Sequence, residues 1–233
     1  MTIILAIDVG TTSLKAALFD MYGRLLAIDR QEYQLLTPTP SIVELDPEIY
    51  WQSCCSTVRN VINKYSTRPE DIVALCIAGQ GETLLCVDGN GKTIHNAIVW
   101  LDQRALDESQ QIADQFGVNE IYQVTGQPEV MPGWPACKIL WLRRNKPDIF
   151  KRTAHFLMVE DFLFYRLTAG FYTDYSLQSS SLLLDIKQKT WWPEMLDFLG
   201  IKADQLGKLV NSGEVIGHLT TQAAEAIGLT SRT

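Results

Sequence analysis

No stretch of the 233 residues is apolar over the roughly eighteen positions that a membrane-crossing helix requires. No basic region precedes a signal-type apolar stretch at the N-terminus. The five cysteines, Cys54, Cys55, Cys76, Cys86 and Cys137, show neither a CxxC pair nor zinc-ligand spacing, and are expected to be reduced, buried thiols. Together these absences point to a cytoplasmic protein with no membrane partner. Histidine is scarce, and His95, His155 and His218 lie beside no nucleophile or metal-ligand pattern. Clustered Lys and Arg are also missing. The net charge is −7, and the one short basic group, Arg143, Arg144 and Lys146, reads as a solvated helix end, so no nucleic-acid partner is expected. There is no internal repeat, no low-complexity segment and no GxxxxGK[ST] phosphate loop.

What is present is an ordinary globular composition, 46% hydrophobic and 20% charged, enough to bury a substantial core in one large domain or two small ones. The order of elements is informative. Residues 3–8 (IILAID), 14–19 (LKAALF) and the run LLAIDRQEYQLL read as three strands joined by tight turns, an antiparallel meander. Asp46 and Pro47 fit the N-cap and first position of a helix through NVINKY. Residues 71–79 (DIVALCIAG) are almost wholly apolar, as in a strand buried on both faces. TLLCVDGNGKTIHNAIVW reads as a hairpin turning at DGNG. Helices are expected over DQRALDESQQIADQFG, VNEIYQVTG, PACKILWLRRN, EDFLFYRLTAG (closing at Gly170), WWPEMLDFLG and TQAAEAIG, with further strands at AHFLMV and GEVIGHLT. Meander strands beside crossover-connected strands make a mixed sheet flanked by helices, an α/β architecture.

The first turn carries unusual chemistry. Asp8 ends the first strand, and Gly10, Thr11, Thr12, Ser13 and Lys15 follow at once. A glycine lets backbone approach a ligand, and convergent N–H groups with three hydroxyls suit phosphate oxygens, with Lys15 adding a point charge. Asp8 is compatible with phosphate where Mg²⁺ or its bound water lies between them. The ordinary alternative is a plain polar turn.

Several segments together resemble the FGGY carbohydrate kinases, a branch of the superfamily containing actin, the Hsp70 ATPase domain and hexokinase. AIDVGTTSLKAALFD is similar to their phosphate-binding hairpin, ELDPEIYWQS to a characteristic helix start, IAGQGETLLCVDGNGKTIHNAIVWLDQRA to the sugar segment, and FLMVEDFLFYRLTAG with TDYS to a later one. VMPGWPACKILWLRRNKPDIF most resembles xylulokinases. The resemblance runs from residue 3 to about 218 and implies a ribonuclease H-like fold. It further implies that residues 1–233 form the N-terminal, sugar-binding domain of a longer chain. The general base and nucleotide pocket would belong to a C-terminal domain not in this sequence.

By the same resemblance, Gln80, Gly81, Glu82, Thr83, Trp100, Asp102, Arg104, Met131 and Trp134 bind the sugar. GQGET stands where xylulokinases have GQMHG and glycerol kinases NQRET, and matches neither. Each residue also has an ordinary role open to it: Glu82 an exposed acid, Trp100 a core ring, Asp102 a helix N-cap, Arg104 an ion-pair partner, Met131 and Trp134 loop packing. The expected activity is transfer of the γ-phosphoryl group of MgATP to a primary hydroxyl of a xylulose-like ketopentose. A glycerol- or erythritol-type polyol is the alternative acceptor, and a nucleotide-switched scaffold the alternative from another class. A homodimer is left open.

Overall fold

The computed structural model describes residues 2–233. Four strands form the first sheet: β1 (Ile3–Val9), β2 (Ser13–Asp20), β3 (Leu25–Glu32) and, after an excursion, a strand at Ile72–Gly79. Between them come β4 (Leu36–Thr39), β5 (Ile42–Leu45) and helix α1 (Pro47–Tyr65), which makes Ile72–Gly79 strand β6. The sheet order is β3-β2-β1-β6, antiparallel through the meander and parallel between β1 and β6. Helix α1 starts as its sequence dictates. Asp46 accepts the Glu48 N–H at 3.0 Å, Pro47 follows, and the buried face Tyr50, Cys54, Val58, Val61 packs under the sheet.

The chain continues through β7 (Leu84–Val87), β8 (Ala97–Ile98), α2 (Leu106–Phe116), α3 (Val118–Thr125), α4 (Pro135–Asn145), α5 (Pro147–Arg152), β9 (His155–Met158) and α6 (Val159–Thr168). It closes with β10 (Tyr172–Asp174), α7 (Tyr175–Gln178), β11 (Leu184–Asp185), β12 (Thr190–Trp191), α8 (Pro193–Leu199), β13 (Lys208–Val210) and α9 (Thr221–Ile227). A second sheet has the order β4-β5-β8-β7-β9. Two cores result. One lies between the first sheet, α1, α6 and α9; the other gathers α2, α4, α8 and the outer face of the second sheet around Ile112, Ile139, Phe156 and Trp192.

Several expectations need correction. The strand β6 is paired on one side only, and Val73 is 51% exposed although its sequence reads as doubly buried. Cys76 on the same strand is consequently exposed rather than buried, and Cys55 is half-buried. Residues 213–220 form no strand; the pairing falls instead on β13, parallel to β10. Helix α6 ends at Thr168, two residues before Gly170, with Ala169 itself taking the left-handed C-cap conformation at φ 61°. The antiparallel pair β4–β5 has no counterpart in the reading of LTPTPSIVEL, because Pro38 and Pro40 break the alternation that marks a strand.

Candidate active site

The site lies beyond the C-terminal end of β1 and the parallel β6, where an open sheet leaves backbone free to meet a ligand. The β1–β2 turn is pinned tightly. Gly10 N–H donates to the Ser13 carbonyl at 2.9 Å, and a Cβ at position 10 would stand 3.0 Å from that same oxygen. Glycine is needed here for close approach rather than for a left-handed dihedral. Thr11 is half-buried and Thr12 exposed, whereas Ser13 is buried as the first residue of β2. Asp8 and Lys15 face each other across the ladder and form an ion pair of 2.8 Å, both partly open to solvent.

Behind the turn, Gln80 continues β6 and binds it to the hairpin. Its backbone N–H reaches the Val9 carbonyl at 2.8 Å, and its side-chain Nε2 donates to the Gly10 carbonyl at 3.1 Å and to the Tyr50 hydroxyl at 3.2 Å. The Tyr33 hydroxyl also donates to the Gly10 carbonyl. Burial holds the Tyr33 and Tyr50 phenols far above their ordinary pKa, so both remain neutral hydroxyls, Tyr33 donating and Tyr50 accepting. The indole N–H of Trp100 donates to the Thr11 hydroxyl at 2.9 Å, while the ring is 42% exposed and offers an aromatic wall.

Residues 80–83 form a strained connection into β7. Glu82 has φ 60°, a left-handed value uncommon for a residue with a side chain. Thr83 is fully buried and its hydroxyl accepts from the Trp100 backbone N–H at 3.2 Å. Beneath the loop lies a lysine that no sequence pattern marked. Lys138, on α4, has no solvent exposure and donates to the carbonyls of Glu82 (2.7 Å), Val99 (3.0 Å) and Ile98 (3.2 Å). Burial pulls its pKa down to about 7, with the charges of Asp102 and Glu82 acting against that fall. One ammonium thus ties the turn at Glu82 to the segment that delivers Trp100.

Asp102 is fully buried and wholly engaged. It accepts from the Val43 N–H at 2.6 Å, from the Arg104 N–H at 2.9 Å, and from the Arg104 guanidinium twice at 2.8 Å. Arg104 also pairs with Glu44 at 2.7 Å and covers the Trp141 ring at 4.9 Å. Asp102 is not the cap of α2, whose N-cap position is Ala105. The Met131–Trp134 turn reaches the site by another route: a Cβ on Gly133 would stand 2.4 Å from the Trp100 carbonyl, so only glycine lets the two backbones touch. Met131 is 42% exposed beside it.

Sequence reasoning named the two sides of the site but missed Ser180 and Lys138. The Ser180 hydroxyl donates to Glu82 Oε1 across 98 positions of sequence. Among the described residues there is no cluster of three His, Cys, Asp or Glu that could cage a metal. The single carboxylate of Asp8 fits Mg²⁺ held mostly by phosphate and water, the usual manner for that ion.

The model of the N-terminal domain of the FGGY family of carbohydrate kinases matches residues 3–233. The chain belongs to the FGGY family of carbohydrate kinases. This FGGY domain is 32% identical over 231 residues to a xylulose kinase of Lactococcus lactis, covering 99% of the chain and 46% of that protein. It is 31% identical over 238 residues to an autoinducer-2 kinase of Klebsiella pneumoniae, covering 100% of the chain and 44% of that protein. A ligand-bound xylulose kinase from Lactobacillus acidophilus superposes with a TM-score of 0.93 at 27% identity, covering 100% of the chain and 47% of that structure. The FGGY domain therefore has the ribonuclease H-like fold of the sugar kinases, and it spans about half the length of the relatives it matches.

Proposed function

We propose that this domain is the sugar-gripping half of an ATP-dependent kinase that phosphorylates a primary hydroxyl of a ketopentose of the xylulose type. The observation that carries the reading is the direct coupling of its two sides. Trp100 donates to Thr11, and Gln80 donates to Gly10, so the phosphate turn and the sugar wall of this reading share hydrogen bonds. In-line transfer requires this proximity, since positioning and charge stabilisation supply most of phosphoryl-transfer catalysis.

In this reading Thr11, Thr12 and Ser13 hold the transferring phosphoryl group by hydroxyl, on a turn whose close approach only Gly10 permits. Lys15 adds positive charge, and Asp8 would hold Mg²⁺ through water; the ion would screen phosphate charge. Gln80, Gly81, Glu82 and Thr83 form the polar floor of the acceptor site, with Trp100, Met131 and Trp134 as its apolar cover. Asp102 and Arg104 serve it by fixing the segment that carries Trp100. A C-terminal domain would bring the general base and the adenosine pocket, and would close over the acceptor to exclude water.

The acceptor itself is tested by ADP release from the full-length protein with MgATP and xylulose, ribulose, glycerol, erythritol or autoinducer-2. The last is included because a 31% identical relative is named for it. Strong stimulation by one compound is the expected outcome. Slow hydrolysis that no acceptor accelerates favours a nucleotide-switched scaffold instead. The 233-residue chain alone is expected to release no ADP in the same assay, and acceptor-dependent turnover by it would remove the need for a second domain.

A further inference from the structure

Three serines follow one another at 179–181, and their hydroxyls go to different places. Ser179 donates to the Ser176 carbonyl at 2.7 Å and Ser181 to the Gln178 carbonyl at 2.7 Å; both are spent on their own turn. The turn is anchored from outside, by Gln127 Nε2 on the Ser179 carbonyl at 2.9 Å and by the Ala136 N–H on the Ser181 carbonyl at 3.2 Å. Only the middle hydroxyl leaves the turn, and it meets Glu82 Oε1. Position 81 is glycine, and a Cβ there would stand 3.7 Å from Ser180 Oγ, so nothing at 81 obstructs that oxygen.

Glu82 is consequently held at both ends. Lys138 fixes its carbonyl, and Ser180 fixes one carboxylate oxygen. Glu82 Oε2 takes no hydrogen bond among the described residues, and Ser180 Oγ, having donated its proton, keeps lone pairs free. Two acceptors then sit side by side on a rigid frame.

We propose that Ser180 is a specificity-determining residue, and that with Glu82 it forms a paired acceptor which recognises two adjacent hydroxyls of the substrate. The inference rests on the reading of residues 80–83 as the acceptor site. It narrows that reading to polyols and ketoses carrying a vicinal diol next to the phosphorylated end.

The test is direct binding to the 233-residue chain, followed by tryptophan fluorescence and calorimetry. The probes are xylulose, ribulose, erythritol, glycerol and 1,3-propanediol, the last lacking adjacent hydroxyls. The wild-type chain is expected to bind at least one vicinal-diol probe and to prefer glycerol over 1,3-propanediol. Ser180→Ala should weaken the preferred probe roughly tenfold, as loss of a charge-linked hydrogen bond does. It should also narrow the glycerol preference without moving the unfolding midpoint. Ser180→Thr, which keeps the hydroxyl, should retain both. Unchanged affinities and order in Ser180→Ala would overturn the role of Ser180 while leaving the acceptor site standing. A folded wild-type chain that binds none of the probes would overturn the acceptor-site reading, and the proposal with it.

Discussion

The two sides of the site are built on different physical plans. The β1–β2 turn is local: it lies within residues 8–15, closed by one backbone hydrogen bond from Gly10 to Ser13, with Asp8 and Lys15 paired across the same ladder. The acceptor side is assembled from distant segments, with Glu82 held by Lys138 and Ser180, and Trp100 held by Thr83 and by the buried Asp102–Arg104–Glu44 network. A local turn is specified by residues a few positions apart and tolerates loss of an exposed charge. A long-range polar frame in low dielectric stands or falls on each partner, because an orphaned buried group costs more than the bond itself was worth.

The largest expected effect breaks the buried frame. Asp102→Ala leaves Arg104 with Glu44 alone and the Val43 N–H without its acceptor. Breaking one partner of a buried pair costs about 3–5 kcal/mol. Urea unfolding of the variant should show that loss, and a change below 1 kcal/mol would mean the acceptor side is no more demanding than the turn.

Next comes a group lying between the two sides. Glu160 on α6 touches Gly79, the residue before Gln80, and burial with the charges of Asp161 and Asp174 raises its pKa from 4.5 to about 8. Asp161 is likewise raised by burial, to about 7. A carboxyl whose folded pKa lies above its unfolded one binds the proton more tightly when folded. Its contribution is therefore full below about pH 4.5 and is lost as pH rises through about 8. Glu160→Gln should flatten stability over that window and gain roughly 3 kcal/mol at pH 9. Denaturant midpoints measured from pH 5 to pH 9 check this, and parallel curves for variant and wild type would place the titration elsewhere.

This contrast also explains what was legible in the sequence. The meander, the Asp46–Pro47 helix start and the polar turn at residues 8–15 are written in short-range pattern, and the structure bears out the α/β fold with its mixed sheet. The segments carrying Gln80 and Trp100 could be named through the family resemblance, but their partners could not. Lys138 sits in an apolar helical run, where a lysine reads as a solvent-facing position. Ser180 lies in a polar turn 98 residues from Glu82, and no periodicity links them. The exposed flank of β6 was misread for the complementary reason: an apolar strand predicts burial without saying which neighbour provides it.

Glu82→Gly separates stability from function on the acceptor side. Relief of a left-handed φ of 60° should raise stability by about 1 kcal/mol, since such conformations cost a side-chain-bearing residue that much. The same change removes the carboxylate that faces Ser180, so acceptor binding should fall by at least tenfold. A variant that gains stability and loses binding would mark the strain as serving recognition, whereas loss of both would make Glu82 a structural residue.

The smallest stability effect belongs to the turn. Lys15 pairs with Asp8 at 2.8 Å, but the two side chains are 41% and 54% exposed. Exposed pairs of this kind contribute within about 1 kcal/mol and are screened by salt. Lys15→Ala should therefore leave the unfolding midpoint almost unmoved. In the full-length protein it should still raise the KM for MgATP, because Lys15 is the cation assigned to phosphate in the proposed site. It should do so more at low ionic strength than at high, as expected for an interaction screened over about a Debye length. If Lys15→Ala destabilised the fold by several kcal/mol, the turn would be a structural clasp like the acceptor frame. The distinction between a ligand-facing turn and a self-satisfied frame would then be lost.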